Sequence, residues 1–301
     1  MNENNRKNNL PGISIIVPVY NAQSCIAGLV ESLLGQDYPE ELVEIIIVDN
    51  NSTDQTKEII EQYPVVLLEE NDIQSSYAAR NKGIKHAHNS ILAFIDADCV
   101  AVKQWLKGGT KSLLSESADL VGGKVEFVFS NKKTAAEMYD SITHMQTEVN
   151  IKNNYAPTAN LFTRASLFDK IGMFPEVKSG GDSRWTSMAV GKGFVLTYCH
   201  EAVVQHPTRK LTELLKKRFR TGLGSVRYWR QSGLSRRRIA MLTARKFLPR
   251  RPCYIRKAIQ TSGTDDMKGK LVRIFWVAWL SNIVSILAIL VSMLPFYGEK
   301  N

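Results

Sequence analysis

Four times in its first hundred residues the chain places a short, β-rich apolar run and follows it with helical spacing. The runs are "ISIIVPVY" (13–20), "VEIIIVD" (43–49), "VVLLEE" (65–70) and "ILAFID" (91–96). After the first, Ile26, Leu29, Val30, Leu33 and Leu34 recur on one helical face up to Gly35. After the second, "NSTDQTKEII" opens a helix with Ser52 as N-cap and Gln55 three residues on. After the third, "SSYAARNKGIKHA" carries a further helix. Runs this apolar are covered on both faces. Strands alternating with helices then predict an α/β chain with a parallel, doubly wound sheet and right-handed crossovers.

Such sheets hold ligands just outside the carboxyl ends of their strands. The polar residues at those ends are Tyr20 and Asn21, Asp49, and Asp96 with Asp98 in "ILAFIDADCV". In an extended segment residues two apart point the same way, so Asp96 and Asp98 are expected to face one site. Aspartates also favour turns after strands, and an isolated Asp-x-Asp has that plainer reading. No GxGxxG follows the first run and no GxxxxGK[ST] occurs, so neither phosphate-binding fingerprint is present.

In order and spacing, "ISIIVPVYN", "EIIIVDNNSTDQT", "AARNKGI", "ILAFIDAD", "YAPTANLFTRASLFDKIGMF" and "GGDSRWTSMAVGKGF" resemble the motifs of family-2 glycosyltransferases of the GT-A fold, over about residues 12–206. The resemblance implies the GT-A nucleotide-diphospho-sugar transferase fold with a central, mostly parallel sheet. It implies a nucleotide-diphosphate sugar donor, UDP by family habit, and inverting transfer to the hydroxyl of a sugar or lipid-linked acceptor. It also implies a divalent cation, Mn²⁺ or Mg²⁺, because a leaving nucleoside diphosphate gathers negative charge that a hard cation on oxygen ligands neutralises.

By the same resemblance Asp98 ligates the metal and Asp96 lies toward the donor ribose. Asp49 contacts the nucleobase, where a carboxylate accepts from an imide N–H. Pro18 and Tyr20 line the base, although an aromatic there could equally be core. Arg80 in "AARNKG" lies beside the diphosphate, its charged fork suited to phosphate; a solvated helix charge is the rival, and Lys82 shares its neighbourhood. Asp182 in "SGGDSRW" matches the general base that takes the acceptor proton. Relatives often carry Glu-Asp there, whereas this chain has Gly181-Asp182. Asn160 and Trp185 match positions near the acceptor or donor sugar. His206 in "VVQHP" is either a third metal ligand or a structural histidine before Pro207.

Charge separates the last third from the rest. The whole chain carries a formal +10, yet residues 207–260 alone hold 17 Lys and Arg against one acid, including "KKRFR", "SRRR" and "RKFLPRR". Such asymmetry points to a polyanionic partner, nucleic acid or an anionic membrane. The stretch 274–297 decides between them: its 24 residues carry no charge, beyond the roughly 20 needed to cross a hydrocarbon core. Trp276 and Trp279 lie near one end, Phe296 and Tyr297 at the other. An anionic membrane surface is therefore the expected partner and nucleic acid is not.

The expected organisation is a tail at 1–10, a catalytic domain at 11–206, a basic membrane-proximal helical region at 207–270 and a membrane-spanning or membrane-inserted helix at 271–297. Four scattered cysteines and no charged-then-apolar leader predict a reducing compartment, the cytoplasmic face of the cell membrane, with a single-pass C-terminal anchor. Processive polysaccharide synthases of the family the chain resembles carry a QxxRW motif and several spans, and the chain shows neither, so the resemblance implies addition of one or a few sugars in surface polysaccharide or glycolipid synthesis. The alternative is an inactive transferase-like scaffold of a membrane glycan-assembly complex.

Overall fold

The computed structural model describes residues 10–115, 117–177, 179–231, 233–245, 255–256, 258–259 and 269–293. Residues 1–9, most of "RKFLPRR", Cys253, Phe296 and Tyr297 lie outside the described residues. The chain divides into two compact units, residues 1–127 with 145–207, and residues 128–144 with 208–301.

The first unit is built on an eight-stranded sheet of order β3-β2-β1-β4-β7-β6-β8-β5. Its strands are β1 (Ile13–Val19), β2 (Val43–Asp49), β3 (Val66–Glu69), β4 (Ile91–Ile95), β5 (Val100–Ala101), β6 (Leu120–Val128), β7 (Asn160–Arg164) and β8 (Leu196–Pro207). The helices are α1 (Ile26–Leu34), α2 (Thr56–Ile60), α3 (Ser76–His86), α4 (Trp105–Ser115), α6 (Thr147–Ile151), α7 (Ser166–Ile171) and α8 (Gly181–Gly191), with α5 (Ala135–Thr143) in the second unit.

The four apolar runs of the first hundred residues form the four strands β1 to β4, and they pair in parallel. Period-two alternation assigns their faces. Ile13, Ile15, Val17, Ile91, Ala93 and Ile95 pack with Ile26, Leu29, Val30 and Leu33 of α1. Ile16, Leu92 and Phe94 join the opposite layer with Tyr77, Ile84 and Trp185. Helix α3 lies close because Gly83 has no side chain: a Cβ there would sit 2.7 Å from Ile16 Cγ2.

Two expectations change. The sheet is mixed rather than mostly parallel: β7 runs antiparallel to β4 and to β6, and β5 antiparallel to β8. Strand β4 is the switch, parallel to β1 on one side and antiparallel to β7 on the other. Ser52 does not cap α2, which begins only at Thr56; its hydroxyl accepts from Asn21 N at 2.9 Å, and Asp54 Oδ1 accepts from Thr56 N at 3.1 Å.

The second unit contains α5, α9 (Leu211–Gln231), α10 (Arg236–Arg245) and α11 (Leu271–Met293). A capping box opens α5, with Thr134 and Glu137 each bonded to the other's backbone. Its core gathers Ala136, Met138, Tyr139 and Ile142 of α5, Leu214 of α9, and Ile274 and Ala278 of α11. Helix α11 is long and apolar enough to cross a membrane, with a mean hydropathy of 2.3 in its best window.

Candidate active site

The strand order turns at β1, with β2 on one side and β4 on the other, and such a switch opens a crevice at the strands' carboxyl ends. The β1–β4 ladder stops at Ile16↔Phe94, while the β1–β2 ladder continues to Val19↔Asp49. Pro18, two residues on, has no N–H to leave unpaired and is buried in the strand, so its ring is not exposed. Tyr20, the next residue beyond the strand, is 54% exposed and offers an open aromatic face. Asn21 and Asn51 turn the chain with φ of 49° and 66°, left-handed values that asparagine tolerates.

Asp49, the last residue of β2, is fully buried. Its Oδ2 accepts from Ser52 N at 3.0 Å and lies 3.9 Å from Lys57 Nζ. Its Oδ1 is buried and has no hydrogen-bond partner among the described residues. A buried carboxylate oxygen without a donor is costly, and a ligand N–H would satisfy it.

The two aspartates after β4 part company. The chain turns there, with Cys99 N donating to Asp96 O at 3.1 Å, so the segment is not extended and its carboxylates take different partners. Asp96 Oδ1 accepts from Arg80 Nη2 at 2.5 Å. Arg80 is almost fully buried on α3, with Nη1 on Ser76 O at 3.3 Å and its guanidinium 5.4 Å from the Tyr77 ring centre. The expected fork toward a diphosphate is thus already engaged with Asp96, although Arg80 Nε is unpartnered among the described residues. Lys82 donates to Glu69 O instead.

Asp98 meets His206. The antiparallel register Val100↔Gln205 brings the start of β5 against the end of β8 and sets Asp98 Oδ2 3.4 Å from His206 Nε2. Cys99 Sγ joins them, with ligand atoms of the three residues all within 4.8 Å of one another. His206 Nδ1 lies 2.6 Å from Pro207 O. A carbonyl partner assigns the proton to Nδ1 and leaves Nε2 as the acceptor, the arrangement found when imidazole ligates a metal. A carboxylate and an oriented imidazole suit a divalent cation.

Asp182 stands in the first turn of α8, half buried. Tyr77 Oη donates to its Oδ1 at 2.9 Å, Ser183 N to the same oxygen at 2.8 Å, and Thr158 N to Oδ2 at 3.3 Å. Burial, and after it the Asp182 carboxylate, pushes the Tyr77 phenol well above its usual range, so it remains a donor. Gly181 has no room for a side chain, because a Cβ would meet the Tyr77 ring at 2.9 Å. An acid placed before Asp182 would have to displace the Tyr77 ring. Only tertiary structure reveals this tyrosine, since its sequence context is an ordinary helix.

Two expected acceptor contacts are core residues instead. Asn160 is fully buried and its amide is committed, Oδ1 accepting from Trp105 Nε1 and Nδ2 donating to Lys124 O and Ala202 O, each at 2.9 Å. Trp185 is also fully buried, stacked on Phe168 at 4.4 Å with its Nε1 on Gly172 O. Neither presents an atom to a bound sugar.

A profile of glycosyl transferase family 2 matches residues 14–172. The chain is 42% identical to glycosyltransferase AglE of Haloferax volcanii over 280 residues, covering 90% of this chain and 92% of that one. It is 30% identical to the poly(ribitol-phosphate) β-N-acetylglucosaminyltransferase TarS of Staphylococcus aureus over 184 residues, 58% of this chain but 32% of that protein. In fold it is similar to the mannosyltransferase PcManGT of Pyrobaculum calidifontis, solved with GDP-Man and Mn²⁺, at a TM-score of 0.65 and 19% identity over 96% of this chain and 89% of that one. A fragment of S. aureus TarS with UDP-GlcNAc superposes at a TM-score of 0.52 and 23% identity, over 69% and 66% of the two chains.

Proposed function

The chain belongs to glycosyl transferase family 2, and from that premise we propose that it moves a sugar from a nucleoside-diphosphate donor to an acceptor hydroxyl, with inversion, in the synthesis of a surface glycan. The observation that carries the reading is the Asp98–His206 pair, two metal-suited groups from distant parts of the sequence held 3.4 Å apart at the carboxyl edge of the sheet. Asp98 and His206 would hold the cation, Mn²⁺ in preference to Mg²⁺ because one ligand is imidazole, and the cation would neutralise the departing diphosphate.

The chain's own residues supply the remainder. Asp49 Oδ1 accepts an N–H from the nucleobase, a donor that both uracil and guanine present; UDP-sugars come first in the test series and GDP-sugars second. Tyr20 offers its ring to the base, and Asp96, fixed by Arg80, receives a ribose hydroxyl. Asp182 takes the proton of the acceptor hydroxyl as the new bond to the anomeric carbon forms opposite the leaving diphosphate. The donors around Asp182 hold its orientation. The basic second unit and its apolar helix support a place at the cytoplasmic face of a membrane and a lipid-linked acceptor.

The test is donor turnover by the full chain with and without metal. Transfer should require a divalent cation, and both Asp98→Asn and His206→Ala should lower it at least about 100-fold while the variants keep their thermal stability without metal. Undiminished turnover in excess chelator would overturn the metal part of the reading.

A further inference from the structure

The apolar helix that ends the described chain could cross a bilayer or lie along one, and its neighbours in the second unit distinguish the two. Helix α9 packs beside α11. Leu214 shares a buried cluster with Ile274 and Ala278. Two turns later Gly222 is so close that a Cβ would meet Ala288 Cβ at 2.7 Å and Ser285 O at 2.8 Å. Low number meets low and high meets high, so the two helices run side by side in the same direction. Between those contacts α9 carries Lys216, Lys217, Arg218 and Arg220, level with the middle of α11 near Asn282. Lys217 Nζ lies 3.0 Å from His144 Nδ1, and the Arg218 guanidinium sits 5.6 Å from the Tyr139 ring centre, which ties both to the α5 segment.

A helix crossing the bilayer upright would carry those four cations, and α5 with its buried Glu137 and Asp140, into the hydrocarbon centre. Ionisable groups there are expensive and are tolerated only where they line a polar interior. The other face of α11 is apolar and open. Val272 (70% exposed), Trp276 (58%), Leu280 (37%), Leu287 (52%) and Leu290 (47%) are its outward residues. At about 100° per residue they fall within an arc of about 80°, one stripe along the whole helix. Exposed Arg273 flanks the stripe, and Lys216 and Arg220 are exposed on α9.

We propose that α11 docks monotopically on a membrane: it lies in the plane of an anionic leaflet with its Val272–Leu290 stripe in the acyl region, while α9, packed on the opposite face, keeps its cations on the water side. The occupant of the stripe is lipid, by charge complementarity: exposed Arg273 flanks the apolar stripe, and the unit that carries it is strongly basic, which fits a surface that is apolar beneath and anionic at its rim. An exposed tryptophan inside the stripe also suits that depth. The proposal rests on the membrane part of the function above and is indifferent to the transfer chemistry.

The experiment uses the full chain on vesicles of phosphatidylcholine with and without phosphatidylglycerol. A nitroxide is placed singly at Val272, Leu280, Leu287 and Leu290 through an encoded azide-bearing residue, and its depth is read from oxygen and nickel-chelate accessibility. The expected result is one shallow depth for all four, with binding that needs the anionic lipid. A depth profile that reaches the midplane near Leu280 and Leu287 and returns by Val272 would show a span and overturn the proposal while leaving the membrane reading intact. Labels shielded from lipid but broadened by one another would show a second copy on the stripe and overturn it too. Failure to bind either vesicle would overturn both readings. Arg273→Gln should weaken binding to anionic vesicles about 5-fold and leave transfer to a soluble acceptor unchanged; unchanged binding would remove the flanking cation from the proposal.

Discussion

At the scale of single residues, an unsatisfied atom says more about function than a satisfied one. Asp49 and Asn160 are both fully buried polar side chains at the ends of strands. Asn160 spends its whole amide on protein partners, whereas Asp49 keeps one oxygen without a donor. The first pattern holds a core together; the second is the one on which the proposed nucleobase contact rests. Asp49→Asn, which can present an N–H toward another N–H, should raise the donor KM about 10- to 100-fold with a smaller change in kcat, measured by initial rates over a donor series. Tyr77→Phe keeps the ring that fills the space beside Gly181 and removes only the hydroxyl bonded to Asp182. A hydrogen bond to a charged group is worth roughly 1.5–3 kcal/mol. If that bond positions Asp182, kcat should fall about 10-fold or more at unchanged donor KM and unchanged melting temperature; an equal loss in both kinetic constants would count against it.

At the scale of elements, the parallel half of the sheet was legible because each strand is covered on both faces and therefore reads as an unbroken apolar run. Asp49, Asp96 and Asp98 are candidates by the rule that strands deliver ligands at their carboxyl ends, and His206 by the family resemblance; the structure sets Asp98 beside His206. The antiparallel half was hidden. Strands β6, β7 and β8 are partnered by residues at least 39 positions away, the Gly122↔Leu161 separation, and nothing in "NLFTR" announces a neighbour. Asn160 misled for the same reason: in a row of motifs it looks like a contact for ligand, while in space it links Trp105 on α4 to carbonyls at Lys124 on β6 and Ala202 on β8. The fit there is close, since a Cβ at Gly123 would lie 2.3 Å from the Asn160 amide. Asn160→Ala would leave the Trp105 indole N–H and two carbonyls unsatisfied and should cost about 2–4 kcal/mol in denaturant unfolding. A normal donor KM in the surviving folded fraction is the accompanying expectation.

At the scale of the whole molecule, the second unit is discontinuous, and a buried carboxylate helps to tie its two pieces of chain. Glu137 Oε1 accepts from Ser130 N at 2.9 Å and from Thr208 Oγ1 at 3.2 Å, while Oε2 accepts from Thr134 N at 2.7 Å. Residues 128–144 and the chain from 208 onward thus meet at this buried side chain, as they do at buried Asp140, whose Oδ2 accepts from Arg209 N at 3.1 Å. The sequence shows the capping-box spacing Thr134-x-x-Glu137 but cannot show the long-range donor, which comes 71 positions later. Burial alone would push this carboxyl up; the donors at Thr134 and Ser130 outweigh it and hold Glu137 at about 2. Because the folded value lies below the ordinary one of about 4.3, the folded state binds fewer protons than the unfolded chain between those values. Stability from Glu137 is therefore complete above about pH 4.3 and drains as the pH falls toward 2, by about 3 kcal/mol over the full range. Glu137→Gln keeps the side-chain shape and a capping-box acceptor but has no proton to gain. It should melt below the parent protein at pH 7, and the gap between the two should close as the pH is lowered through 4 to 2.5, followed by helical circular dichroism. A gap that stays constant across that range would mean that the donors around Glu137 act on its shape and not on its charge.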